Sequence, residues 1–284
     1  MRPEVIQRLG LLLRNKSEET KKAYFFYIKK FLLYADDKDT YDEFDIREFC
    51  ASLEEEGKSR SYINSAFSAV KLFLRAKKQA LPLTSRDILP KEGEKEQPTM
   101  ATEDIRKLIE TVKIKGTEKQ IFYLTLSTVW GPRQGEMVTC KENDIDKENK
   151  TIIIHTEKGG RVRKHLIPNI IFPIIANFSF NGISVSEINM MFKQICSMAN
   201  VKRKPREGWH SPRRRLITEL ITRGVKREEV ANFMRWKNTG GITQHRGRND
   251  PTAMVDKYYH PEDKAVDLEI YKNHPFLPFW RNNA

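Results

Sequence analysis

Thr151-Ile152-Ile153-Ile154-His155-Thr156 and Arg163-Lys164-His165-Leu166-Ile167-Pro168 bracket the tripeptide Lys158-Gly159-Gly160. Two short apolar-rich runs around a glycine pair read as a β-hairpin with Lys158 at its tip. No other stretch carries a convincing strand signal. On both sides of it the apolar residues recur every three or four positions, which is the helical period. The sequence therefore predicts a mainly α fold with a small antiparallel β-sheet.

Upstream, Ser17-Glu18-Glu19-Thr20 is an N-cap signal ahead of Ala23, Tyr24, Ile28, Phe31 and Leu32, an amphipathic helix. Asp45 to Leu53 predicts a second helix. Ser61 to Ala76, with Ile63, Ala66, Phe67, Val70, Leu72 and Phe73, predicts a third. Residues 1–90 thus form a small helical module. The stretch from Pro82 to Pro98 is polar and charged without a sustained period, and its part 91–98 reads as an interdomain linker. Helical periodicity resumes at Glu103, so residues 99–284 form the second domain. Residues after Ser184 are helical apart from a Gly-, Asn- and Asp-rich insertion over 238–252.

The chain has 284 residues, 39% of them apolar, enough to bury a core. It carries 51 Lys and Arg against 38 Asp and Glu, a formal charge of +13, which favours a polyanionic partner. Residues 201–250 alone hold 14 basic and 5 acidic side chains, so most of the excess is concentrated there. Cys50, Cys140 and Cys196 are odd in number and far apart, which excludes a disulfide framework or a Cys-based zinc site. No His-x-x-x-His pair offers a metal site. The apolar run Leu9 to Leu13 is too short to span a membrane, so an intracellular protein without a membrane partner is expected.

Trp209-His210-Ser211-Pro212-Arg213-Arg214-Arg215 carries the strongest chemical signal. Ser211 suits an N-cap and Pro212 the first helical position, so a helix is expected to start there and run to Gly224. His210 and Arg213 would then flank a helix N-terminus, a setting that suits a phosphate, although alone it is also compatible with a basic surface cluster. Gly131-Pro132-Arg133-Gln134-Gly135-Glu136 predicts another Pro-started helix, with Arg133 and Glu136 three apart on one face. Taken alone, such a pair is more often a surface ion pair. Tyr258 follows in Met254-Val255-Asp256-Lys257-Tyr258-Tyr259-His260-Pro261.

In this order the motifs resemble the tyrosine recombinases, the integrase family of site-specific DNA recombinases. The family pattern maps onto Arg133 with Glu136, Lys158, His210 with Arg213, Trp236 and Tyr258. Ser17-x-x-Thr20-x-x-x-Tyr24, followed by Phe31 and Tyr34, resembles the family's helical SAM-like core-binding domain. The resemblance implies a two-domain clamp on double-stranded DNA, with the linker crossing its edge, and a homo-oligomer on DNA, a tetramer in most members. Accessory DNA-bending or directionality factors and a place in a mobile genetic element belong to the same picture.

It also implies roles. Arg133 and Arg213 would stabilise the charge on the phosphate oxygens. His210 would bind the phosphate or assist Tyr258, and Lys158 would protonate the leaving 5′ oxygen. Trp236 would donate its indole N–H, and Glu136 would orient its neighbours. Tyr258 would attack phosphorus and form a 3′-phosphotyrosine, which conserves the bond energy and requires no ATP, metal or other cofactor.

Tyr259 is the alternative to Tyr258, which is preferred because His260 follows it by two residues. Trp236 lies 22 residues before Tyr258, farther than is usual in the family, and His245 in the insertion is the alternative. The apolar tail around Phe276-Leu277-Pro278-Phe279-Trp280 would dock on a neighbouring protomer, or else fold back on its own domain. Alternative functions are a telomere resolvase or type IB topoisomerase with the same chemistry, or a DNA-binding regulator that kept the fold without activity.

Overall fold

The computed structural model describes residues 2–88, 99–156, 160–205, 207–236 and 263–281. The expected linker 91–98, Lys158, Tyr258, Tyr259, His245 and the insertion 238–252 lie outside the described residues. The chain divides into two compact units, Met1–Glu96 and Gln97–Ala284.

The first unit is built from α1 (Pro3–Leu13), α2 (Glu18–Ala35), α3 (Glu43–Glu55), α4 (Arg60–Ala76) and the short α5 (Ser85–Ile88). The helix starts follow from their caps. Ser17 Oγ accepts the Thr20 N–H at 3.3 Å, Asp42 and Asp45 form a reciprocal capping box, and Ser59 Oγ accepts the Tyr62 N–H at 3.3 Å. Helix α4 is central and packs against α1, α2 and α3. Its Ile63, Phe67, Val70 and Phe73 meet Leu9, Ile28, Phe31 and Phe49 in one core. Leu9 and Leu13, read in the sequence only as a short apolar run, are the buried stripe of α1.

The second unit opens with α6 (Thr102–Lys115), α7 (Glu118–Val129) and α8 (Gln134–Val138). Three strands follow, β1 (Ile145–Asp146), β2 (Thr151–Ile154) and β3 (Arg163–Leu166), then α9 (Phe172–Ala176), α10 (Val185–Met198), α11 (His210–Thr222), α12 (Arg227–Phe233) and α13 (Asp263–Lys272). Helix α7 is buried from Phe122 to Val129. Its Thr125 and Thr128 hydroxyls are satisfied by the carbonyls of Ile121 and Leu124, at 2.7 and 2.8 Å. Such pairing lets polar residues occupy the centre of a core.

The expected hairpin is present as the antiparallel pair β2 and β3, with Thr151 opposite Leu166 and Ile154 opposite Arg163. Strand β1, which the sequence did not announce, extends the sheet to the order β1-β2-β3. Strand alternation sends Ile152 and Ile154 of β2 inward as expected, but the inward residues of β3 are Arg163 and His165. A polar row of one guanidinium and one imidazole therefore faces the interior.

The C-terminal segment packs on its own domain, so this chain takes the second of the two expected placements. His274, Phe276, Leu277 and Trp280 are buried in the core of the second unit. Trp280 Nε1 donates to Thr128 Oγ1 at 3.1 Å, and Lys113 Nζ donates to the Phe279 carbonyl at 3.3 Å. The apolar residues that would be costly to expose at a terminus are covered by α6 and α7. Among the described residues, no helix is long and apolar enough to cross a membrane.

Candidate active site

The loop Trp130-Gly131-Pro132-Arg133 joins α7 to α8. Gly131 has φ +52°, and a Cβ there would lie 2.9 Å from Met234 Cε and 3.3 Å from Arg213 Cγ, so glycine fits both the left-handed backbone and the close approach. The Gly131 carbonyl accepts a hydrogen bond from Arg213 Nη1. Arg133 is the N-cap of α8 rather than part of a helix started by Pro132. Glu136 reaches back to it: Oε2 accepts the Arg133 N–H at 2.8 Å, and Oε1 accepts Arg133 Nη1 at 2.7 Å. The Arg133 side chain is 28% exposed while that of Glu136 is fully buried, so the guanidinium is presented outward from a buried anchor.

Helix α11 starts at His210 with Trp209 in the capping position, two residues earlier than the expected start at Pro212 behind a Ser211 cap. Ser211 lies inside the first turn. Pro212 follows it in the same turn, where a missing N–H removes no intrahelical bond. Trp209 anchors the start, with Nε1 donating to the Ile188 carbonyl at 2.6 Å. His210 is exposed at the helix N-terminus, and Arg213, one turn on, is buried. Besides the Gly131 carbonyl, Arg213 bonds the Met234 carbonyl through Nη2 at 3.2 Å.

The end of α12 completes the cluster. The Trp236 N–H closes on the Ala231 carbonyl at 2.9 Å, with Arg235 at φ +62° between helix and exit. This is the left-handed helix termination usually made by glycine. Trp236 is half-buried against the core. Arg235 is fully buried and was not singled out by the sequence. Its Nη2 lies 3.3 Å from Glu136 Oε2, and its Nη1 bonds the Trp130 carbonyl and His165 Nε2, each at 3.2 Å.

Three guanidiniums, Arg133, Arg213 and Arg235, thus surround one carboxylate. Burial raises the Glu136 pKa, but Arg235 and Arg133 outweigh it and hold the group below the usual carboxylate range. Burial, with Arg235 and Arg133 nearby, pushes Arg213 down to about 9, and burial pushes Arg235 down to about 10. Arg213 and Arg235 both stay charged at neutral pH. Glu136 neutralises only one of them, which leaves the cluster with an excess of positive charge suited to an anion.

The polar row on β3 continues this cluster toward α13. Asp267 Oδ1 accepts Arg163 Nη2 at 2.7 Å and lies 3.2 Å from His165 Nδ1, while Oδ2 accepts the Leu166 N–H at 2.6 Å. Arg235 has only protons to offer, so His165 Nε2 accepts and Nδ1 carries the hydrogen donated to Asp267. Burial and three neighbouring arginines keep His165 neutral, well below its usual range. Burial pushes Asp267 up to about 7 against the pull of Arg163. Tyr271 closes this side, donating to the Leu166 carbonyl at 2.6 Å and accepting Trp130 Nε1 at 2.8 Å.

Of the expected site residues, the structure brings Arg133, Glu136 and Arg213 together, with Trp236 directly following Arg235. His210 is one turn from Arg213 on α11. Lys158 and Tyr258 lie outside the described residues. Sequence reasoning missed Arg235, Arg163, His165 and Asp267. The available signals were the arginine directly before Trp236 and the Arg-x-His alternation in β3. Among the described residues, no group of three or more His, Cys, Asp or Glu is placed to hold a metal ion.

Residues 5–80 match the model of the phage integrase N-terminal SAM-like domain. Tyrosine recombinase XerA of Pyrococcus furiosus is 28% identical over 193 residues, 63% of this chain and 61% of that protein. The protein of the same name from Thermococcus kodakarensis is 24% identical over 168 residues, covering 58% and 57%. These matches thus span about three fifths of the relatives' length. Among solved structures, a lambda integrase dimer bound to a COC′ core site aligns with 87% of this chain and 96% of that chain, at TM-score 0.65 and 15% identity. The Tn1549 transposon integrase in complex with transposon right end DNA aligns with 90% and 98%, at TM-score 0.62 and 16% identity. A segment matching the phage-integrase SAM-like domain, followed by a unit built like the catalytic domains of integrases, gives this chain the fold of the tyrosine recombinases.

Proposed function

We propose that the chain is a site-specific DNA recombinase that breaks and rejoins strands through a 3′-phosphotyrosine intermediate. The observation that carries this reading is the arginine cluster, in which Arg133 and Arg235 share the single buried carboxylate of Glu136 and buried Arg213, held by the Gly131 and Met234 carbonyls, has no carboxylate ion-pair partner among the described residues. A DNA phosphate supplies the missing negative charge, and guanidiniums are suited to the charge that builds on its oxygens during attack.

The Tyr258 hydroxyl gives its proton to His210 as its oxygen bonds to phosphorus, the bond to the 5′ oxygen breaks, and Lys158 passes a proton to that oxygen. Arg133 and Arg213 hold the phosphate oxygens, His210 and Trp236 add donors at its edge, and Glu136 fixes Arg133. Attack by a 5′ hydroxyl on the phosphotyrosine reverses the step. One ester is exchanged for another each time, so the phosphodiester count is conserved without an energy source. The SAM-like domain and the exposed Lys202, Arg203, Lys204, Arg223, Lys226 and Arg227 supply phosphate contacts, which makes affinity strongly salt-dependent. Strand exchange between two duplex sites assigns four protomers to the complete assembly.

Duplexes carrying a nick just 3′ of the scissile position, incubated without divalent metal, test this reading. The expected product is a covalent adduct mapped to Tyr258, absent from Tyr258→Phe and retained by Tyr259→Phe. An adduct on Tyr259, or a product joined through a 5′ phosphate, overturns it.

A further inference from the structure

Arg235 touches every described wall of the arginine cluster although it is itself inaccessible. Its side chain is 0% exposed, and its backbone sits at φ +62°, where a residue with a Cβ is held against its preference. A buried guanidinium in a strained backbone persists only where its surroundings demand it, and four contacts show what they demand.

The first is Glu136, whose Oε2 receives both Arg235 Nη2 and the Arg133 N–H. Withdrawing Arg235 would leave the carboxylate free to turn away from Arg133. The second is the Trp130 carbonyl, bonded by Nη1 in the loop that delivers Arg133. The third is the Arg235 carbonyl, which accepts the Arg161 N–H at 3.1 Å. Arg161 stands three positions after Lys158 at the stem of the hairpin, and Gly160 approaches so closely that a Cβ there would lie 3.0 Å from the Arg235 oxygen. The fourth is His165 Nε2, whose Nδ1–H continues to Asp267 on α13, the helix that begins five positions after Tyr258.

We infer that Arg235 is a positioning residue that locks Arg133, the stem of the Lys158 hairpin and the helix following Tyr258 to one another. This rests on the recombinase reading for its catalytic consequence, but the geometric claim about Arg133 stands separately. Met234 and Trp236 flank Arg235, so the same turn also fixes the carbonyl that Arg213 bonds and the start of the indole-bearing segment.

Arg235→Met keeps an unbranched side chain of similar length and removes the charge, and Arg235→Lys keeps the charge but not the fork. Both are compared with the wild-type full chain in three measurements: circular dichroism, the rise in melting temperature produced by inorganic phosphate, and the rate of adduct formation on nicked duplexes at saturating DNA. The expected result is a folded Arg235→Met protein whose adduct rate per folded molecule falls about 100-fold, the scale of a small misplacement at a reacting centre. Its phosphate-induced stabilisation should disappear, and Arg235→Lys should recover part of both. The pH profile of adduct formation should also change in shape, because His165 loses the donor that keeps its Nε2 unprotonated.

A rate within about threefold of wild type together with an unchanged phosphate response overturns the proposal. So does a loss of rate that only tracks the unfolded fraction, which is what a purely structural arginine would give. Should Arg235→Met fail to fold, the lysine variant decides by the same two criteria. A wild-type protein that forms no adduct at all would instead remove the recombinase reading, and the phosphate response would still report whether Arg235 holds Arg133.

Discussion

Glu136 holds Arg133 by two bonds at once, Oε1 to the guanidinium at 2.7 Å and Oε2 to the backbone N–H at 2.8 Å. The geometry fixes both the side chain and the start of the helix that presents it. It also sets the cost of losing the carboxylate, because Arg235 shares the same oxygen and is completely buried.

Glu136→Ala is therefore expected to destabilise the second unit by about 3 kcal/mol or more, the usual effect of leaving a buried charge without its partner. Urea unfolding measures it. Combining Glu136→Ala with Arg235→Met should cost clearly less than the sum of the two single changes, and strict additivity would show that the pair does not interact.

Arg213→Lys is expected to lower the adduct rate at least about 10-fold while leaving duplex affinity nearly unchanged. A lysine keeps one charge but cannot bond the Gly131 and Met234 carbonyls and a phosphate together. Single-turnover kinetics at several DNA concentrations separates the two quantities. A change confined to affinity would place Arg213 outside the reacting centre.

His274 makes the fold acid-sensitive. Nε2–H donates to the Val129 carbonyl at 3.0 Å, and Nδ1 accepts the N–H groups of Phe276 and Leu277 at 3.2 and 3.1 Å. Burial pushes its pKa down to about 4. The unfolded chain binds this proton near pH 6.5 and the folded chain does not, so stability is complete above that pH and falls as pH drops toward 4, by about 3 kcal/mol. His274→Asn keeps an acceptor in place of Nδ1 without the proton site. Its melting temperature should show a shallower acid limb between pH 6.5 and 4, and an unaltered limb would rule out this assignment.

Removing residues 273–284 takes Phe276, Leu277 and Trp280 out of the core. The loss should be about 5 kcal/mol from apolar burial alone. Thermal melting of the truncated chain in the absence of DNA is the measurement. A melting temperature matching that of the intact chain would mean that the tail contributes nothing to its own domain.

The helices and the hairpin could be read because each is a local pattern: Ser17 caps α2 as its sequence announces, and β2 and β3 flank a glycine pair, whereas the caps Asp42, Ser59 and Trp209 lie ahead of the helix starts that apolar periodicity and Ser211 suggested. The arginine cluster was half legible. Arg133, Glu136 and Arg213 have recognisable spacing, whereas Arg235 has none, since only the left-handed turn at the end of α12 sends it inward. His165 and Arg163 were hidden for a related reason. Strand alternation places them on the core face, but their burial depends on Asp267, more than a hundred positions later in the chain. Strand β1, two residues long, is fixed by its pairing with β2 and not by its own composition.

The left-handed turn at Arg235 sets a backbone preference against a buried charge. Glycine at this position would relieve a strain of about 1 kcal/mol, but it would empty the volume the side chain fills and take a partner from Glu136, which costs more. A library chosen for heat resistance alone should therefore keep arginine there, as should one chosen for strand cleavage, and glycine should enter only together with an uncharged residue at position 136. Sequencing both pools would show whether the two positions change as a pair.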